Sequence, residues 1–172
     1  MHELLPSATR FGMLVDSQTP GAEIAAQDAG TAATTLGRQI EVLSASSSRE
    51  IDAVFATLAQ KRVEALLVSP STLFSNRRVH LAGAAMRYGV PAIYPDRQYA
   101  EAGGLMTYGS DVPDGYRQAG IYVSRILNGE KPSDLPVMRP AKFEFVINLQ
   151  TARLHGIDVP PTLLAIADGV IE

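Results

Sequence analysis

Side chains able to bind a small molecule gather where short apolar runs end. Asp16, Ser17 and Gln18 follow the run Arg10–Val15, and Ser69, Ser71 and Thr72 follow Ala65–Val68. Asp96 and Arg97 follow Ala92–Tyr94, while Tyr108, Gly109 and Asp111 close the run that begins at Leu105. These groups form hydrogen bonds and ion pairs. An arginine holds a carboxylate bidentately and an aspartate pairs with an ammonium, and hydroxyls beside an aromatic ring complete the inventory of a polar small-molecule site. The same residues have a plainer use, because Asp and Ser often cap helices. Asp16, Ser69 and Asp96 read either way, and Tyr94 and Tyr108 taken singly read as packing residues.

Groups for catalysis are scarce. His2, His80 and His155 are too dispersed to indicate a shared metal site or a general base. The chain lacks the Gly-x-Ser-x-Gly elbow, the phosphate loop and the Gly-x-Gly-x-x-Gly turn. Gly103-Gly104 reads as a turn before a strand. Asp16 and Asp96 resemble the acidic residues of a phospho-acceptor pocket, but the acidic pair and late lysine of that pocket are out of place. The expectation is a binding protein with no catalytic residue, no metal and no cofactor.

The candidate residues need a scaffold that brings them together. Apolar runs alternate with helical patterns, which indicates a three-layer α/β/α domain with a mostly parallel sheet. Strands are expected at Arg10–Val15, 40–43, Ala65–Val68, Ala92–Tyr94, 105–108 and Phe143–Asn148. Helices are expected at 22–36, after Ser47, and at 76–88. Ser47 and Glu50 have the spacing of a capping box, ahead of a stripe at Ile51, Val54, Phe55 and Leu58. Right-handed crossovers would turn the ends of the parallel strands toward one edge, where open α/β sheets bind ligands. After Gly109 the pattern changes. A long helix at 114–128 stops at Gly129 with Pro132 beyond it, then comes an extended stretch at 135–140, a strand, a short helix and a last helix from Pro160-Pro161.

Composition agrees with a folded domain. The chain has 172 residues, 46% of them hydrophobic, with a formal net charge of -3 and no cysteine. Scattered basic residues on an acidic balance argue against a nucleic-acid partner, and no apolar run has the length of a bilayer span. Without cysteine there are no disulfides and no thiol chemistry.

Particular segments carry a further signal. They include Pro91-Ala92-Ile93-Tyr94, Glu101-Ala102-Gly103-Gly104-Leu105-Met106-Thr107-Tyr108-Gly109, and Ile126-Leu127-Asn128-Gly129-Glu130-Lys131-Pro132. Lys142-Phe143-Glu144-Phe145-Val146-Ile147-Asn148-Leu149 and Pro160-Pro161-Thr162-Leu163-Leu164 complete the set. Together the chain resembles the substrate-binding proteins of ATP-binding-cassette importers, of the tryptophan/tyrosine type. The resemblance implies a type I periplasmic-binding fold, in which two hinged, flavodoxin-like lobes close on a solute. It implies that this chain is the second lobe, without the first lobe or an export signal. Residues 1–110 would form the lobe's α/β domain, and 111–172 the hinge-crossing helix, connector, strand and C-terminal helices. Where relatives often carry Asn-Pro and Asp-Pro in two contact loops, this chain has Asp16-Ser17 and Ser69-Pro70, so no particular ligand is implied.

The resulting expectation is a partial solute-binding component that holds a small polar solute, such as an amino acid or a related compound, for an ABC permease. The alternative is a cytoplasmic ligand-sensing domain of the same fold, and a small hydrolase or transferase ranks last. The family works in the periplasm or at the membrane. With no signal segment after Met1, the chain as written would stay in the cytoplasm. Tyr116, Ala119, Gly120, Val123, Ile126 and Leu127 would form an apolar stripe on the long helix. Left unpartnered, that stripe favours a twofold homodimer.

Overall fold

Short, fully apolar segments become strands buried on both faces. The computed structural model describes all 172 residues. In chain order its elements are β1 (Arg10–Val15), α1 (Ala22–Thr35), β2 (Gln39–Ser44), α2 (Ser48–Gln60) and β3 (Ala65–Val68). Next come α3 (Thr72–Asn76), α4 (Arg78–Tyr88), β4 (Ala92–Tyr94), α5 (Arg97–Glu101) and β5 (Met106–Ser110). The remainder is α6 (Val112–Leu127), a 3-10 turn at Pro132–Asp134, β6 (Phe143–Asn148), α7 (Leu149–Leu154), α8 (Pro161–Ile166) and β7 (Gly169–Ile171).

The strands form one seven-stranded sheet in the order β2-β1-β3-β4-β5-β6-β7. From β2 to β5 every pairing is parallel. The β5–β6 pair is antiparallel and β7 runs parallel to β6. Because β6 enters from the far end, its first residue, Phe143, lies beside Ser110 at the end of β5.

Side chains on one face of the sheet pack with α2, α3, α4 and α5 around Leu14, Phe55, Leu66, Phe74, Leu81 and Tyr94. The other face buries Leu4, Met106, Phe145 and Ile147 with Ala152 of α7 and Leu163 of α8. A third, smaller group joins Ala8, Phe11 and Ala65. These are the expected three layers.

Several local expectations need correction. The helix expected at 76–88 is α4, which starts at Arg78, and a separate short helix, α3, started by Ser71, precedes it. A helix that the sequence did not disclose, α5, forms at Arg97–Glu101 with Asp96 as its N-cap. The long helix begins two residues early, at Val112, capped by Asp111 with Pro113 in its first turn. β7 was not anticipated, and it forms because β6 offers an open edge to a distant segment.

Candidate functional site

A cleft of about 570 Å³ lies where β1, β3, β4 and β5 end. Its apolar walls include Met13, Ile93, Pro95, Val112 and the aromatic pair Tyr108 and Phe143, and its polar groups include Ser69, Ser75, Ser110 and Asp96. Parallel strand order places these ends together, and the reversed β6 adds Phe143 from the opposite direction. The Tyr108 and Phe143 rings stack at 5.8 Å and 13°, and both are more than half exposed. A stacked aromatic pair is thus exposed at the rim.

Gly109 sets the spacing of this rim. A Cβ there would drive into the carbonyl oxygen of Pro95, so the loop after β4 lies directly against the backbone of β5. Only a residue without a side chain allows that approach. It holds Asp96 and Tyr108 on neighbouring walls.

Asp16 and Ser71 do not line the cleft; both are buried and brace the loops after β1 and β3 to one another. Asp16 Oδ2 accepts the Ser71 hydroxyl at 2.6 Å, and Oδ1 accepts the Gln18 amide at 2.9 Å. The Ser71 oxygen in turn accepts the Leu73 amide at 3.1 Å and so starts α3. Burial pushes the Asp16 carboxyl pKa up, but hydrogen bonds from Ser71, Gln18 and Thr19 outweigh it and leave the group below the usual carboxylate value. Ionised Asp16 ties the β1 loop to the β3 loop.

Asp96 has the opposite character. Its Oδ1 caps α5 by accepting the Gln98 amide at 3.0 Å, and it makes no ion pair within 4.0 Å. Burial raises its pKa above the ordinary aspartate value, and the Gln98 amide and the positive charge of Arg78 offset this only in part.

Arg97 points elsewhere. Its NH1 donates to Glu144 at 2.6 Å and its Nε to Glu101 at 2.9 Å, and these two bonds, that to Glu144 first, raise its pKa. The guanidinium is therefore already occupied by carboxylates. It lines an adjoining groove of about 500 Å³ together with Asp96, Asp111, Tyr116 and Glu144. Asp111 caps α6 there by accepting the Asp114 amide at 3.0 Å.

Of the residues expected from sequence, the structure brings Ser69, Asp96 and Tyr108 into one cleft. Asp16 and Ser71, expected to face the ligand, are instead buried against each other outside the lining of the cleft, and Arg97 and Asp111 stand in the adjoining groove. Ser17 faces a separate depression beside α1, with Thr19 and Val42. Gln18 and Thr72 are exposed and line neither the cleft nor the groove. Sequence reasoning missed Ser75, Val112 and Phe143. The change of pattern after Gly109 was the available signal for Phe143, since a reversed strand brings its first residue to the binding edge.

A mostly parallel sheet covered on both faces, with a cleft at its strand ends, is the architecture of a periplasmic-binding-protein lobe. The family model for ABC transporter substrate binding proteins matches residues 1–171, and the chain belongs to that family. No curated protein matches the sequence. Among solved structures, a conserved domain protein from Vibrio cholerae aligns with a TM-score of 0.90 and 22% identity, over 98% of this chain and 57% of its own. The ABC domain in complex with L-Trp from Streptococcus pneumonia aligns at 0.90 with 24% identity, over 99% of this chain and 59% of its own. A ligand-free, open substrate binding protein with adhesive properties from Clostridium difficile aligns at 0.71 with 20% identity, over 99% and 58%. At these identities the likeness shows the fold. This chain spans less than two thirds of the length of each.

Proposed function

We propose that the chain is a ligand-binding lobe that holds a small solute in the cleft at the ends of β1, β3, β4 and β5, without transforming it, for delivery to an ABC permease. The observation that carries this reading is the convergence of Ser69, Asp96 and Tyr108 around a cleft of about 570 Å³ with exposed aromatic walls. That volume suits an amino-acid-sized or somewhat larger solute. The cleft serines have no histidine beside them, since no histidine lines the cavity, so the lining offers no activated hydroxyl. In the same reading, residues 111–142 are an excursion away from the sheet toward a second lobe, and the protein works outside the cytoplasmic membrane. No helix of the chain is long and apolar enough to cross a membrane.

The test is a titration of the chain with amino acids, amines, sugars and nucleosides, followed by amide chemical shifts. Saturable shifts centred on Ser69, Asp96, Tyr108 and Phe143 are expected for at least one class. Saturable shifts centred on another surface would remove the site, and turnover of a bound solute would remove the claim that no chemistry occurs.

A further inference from the structure

The cleft has a charge character that bears on its ligand, provided that it is the binding site. No lysine, arginine or histidine lines it, and Asp96 is its one ionisable carboxylate. Asp96 Oδ1 is engaged by the Gln98 amide, while Oδ2 accepts no hydrogen bond from the protein. Of the guanidiniums nearby, Arg97 is held by Glu144 and Glu101, and Arg78, whose positive charge is felt at Asp96, does not line the cleft and donates its NH1 to the Ser75 carbonyl at 2.9 Å.

The walls favour the same sign of charge. Tyr108 and Phe143 line the cleft and are each more than half exposed, and an aromatic face attracts a cation through its quadrupole. A carboxylate in this space would meet Asp96 and the exposed aromatic pair, with no side-chain cation in the lining to pair with it. A protonated amine would meet a carboxylate with a vacant acceptor oxygen and flanking hydroxyls from Ser69, Ser75 and Ser110. Met13, Ile93, Pro95 and Val112 would cover an apolar body.

We propose that the cleft takes a protonated amine carried on an apolar or aromatic body, with Asp96 as its charge partner, and that it discriminates against a free carboxylate. The proposal rests on the cleft being the binding site. It is tested with compounds of similar size, 2-phenylethylamine, 3-phenylpropionate and L-phenylalanine, titrated into the chain at neutral pH. A charge-assisted hydrogen bond in a partly dehydrated cleft is worth about tenfold or more in affinity, so the amine should bind at least about tenfold more tightly than the propionate. Asp96→Asn keeps an acceptor for the Gln98 amide and should reduce that ratio to within about twofold, with an unchanged melting temperature.

The proposal is overturned if the propionate binds as tightly as the amine. It is also overturned if L-phenylalanine binds more tightly than the amine, if Asp96→Asn leaves the ratio intact, or if none of the probes binds at millimolar concentration. Amide shifts separate this failure from that of the site itself. Propionate shifts centred on Ser69, Tyr108 and Phe143 would end the amine assignment and leave the cleft as the site. Amine shifts centred on another surface would end both.

Discussion

Helices α2 and α6 carry similar apolar stripes and meet opposite fates. In α2, Ile51, Phe55 and Leu58 are 0% exposed and Val54 is 6% exposed, all packed on the sheet. In α6, Tyr116 is 77% exposed, Val123 56% and Leu127 81%, and no residue of the helix is buried. Periodicity states which face of a helix is apolar. Whether that face is covered depends on a partner that the helix's own sequence does not contain. The sheet supplies one for α2, and this chain supplies none for α6. At the start of α6 the Asp111 amide donates to the Lys142 carbonyl at 3.0 Å, and from mid-helix the Tyr122 hydroxyl donates to the Pro136 carbonyl at 2.6 Å.

The largest effect expected from this contrast is at Phe55. Phe55→Ala removes a fully buried ring that stacks at 5.9 Å on Tyr88, and should cost about 3–5 kcal/mol in chemical denaturation. A loss below about 1 kcal/mol would mean that the α2 layer is loosely packed, and the contrast with α6 would fail.

Gly109 lies at the junction between the two regions. Gly109→Ala forces a methyl group into the Pro95 carbonyl, and neither backbone can move without shifting its strand. Overpacking of this kind costs about 1–3 kcal/mol. The amide shifts of Asp96 and Tyr108 should move with it, because that contact spaces the walls of the cleft. Unchanged stability and shifts would show that the approach is not tight.

Asp16 tests the brace between the loops after β1 and β3. Asp16→Ala leaves the Ser71 hydroxyl and the Gln18 amide without their acceptor, at a cost of about 1–3 kcal/mol. The pH dependence has a definite sign. The folded pKa of Asp16 lies below its unfolded value, so its contribution is present above the ordinary carboxylate range and is lost as pH falls below about 4. Asp16→Asn should flatten that part of the acid limb in stability measured against pH. An unaltered limb would place the acid sensitivity elsewhere.

How far the fold could be read in advance followed the locality of each interaction. Ala65–Val68 needed only its apolar run, and α2 needed its stripe and Ser47. Even there the capping pattern is shifted. The Glu50 amide bonds Ser47 Oγ at 3.3 Å, whereas the Glu50 carboxylate accepts from the Ser46 amide at 2.7 Å. Five-residue α5 carries too little periodicity to stand out, although Asp96 was readable as a cap. β7 depends on the open edge of β6, which no local pattern in Gly169–Ile171 discloses. In the site, parallel order made Ser69, Asp96 and Tyr108 legible as neighbours. The commitment of Arg97 was hidden because its partner Glu144 lies 47 positions away. An arginine at a strand end reads as a free cation until the reversed strand arrives beside it.

The smallest expected effect completes the contrast. Leu127 ends the α6 stripe and is 81% exposed, so Leu127→Ser removes almost no buried area. The same change at a covered position would sacrifice roughly 25 cal/mol for every Å² of apolar surface kept from water. In dilute chain, Leu127→Ser should therefore change the unfolding free energy by no more than about 0.5 kcal/mol. The measurement is best made at low and high protein concentration, because a second copy covering the stripe would stabilise the fold by mass action. If the substitution is neutral at both concentrations, the face stands free in this chain and a homodimer through α6 is excluded. A loss that grows with concentration would mean that copies of the chain cover one another's stripe. A loss of more than about 1 kcal/mol at every concentration would show α6 docked on its own sheet, and the contrast with α2 would disappear.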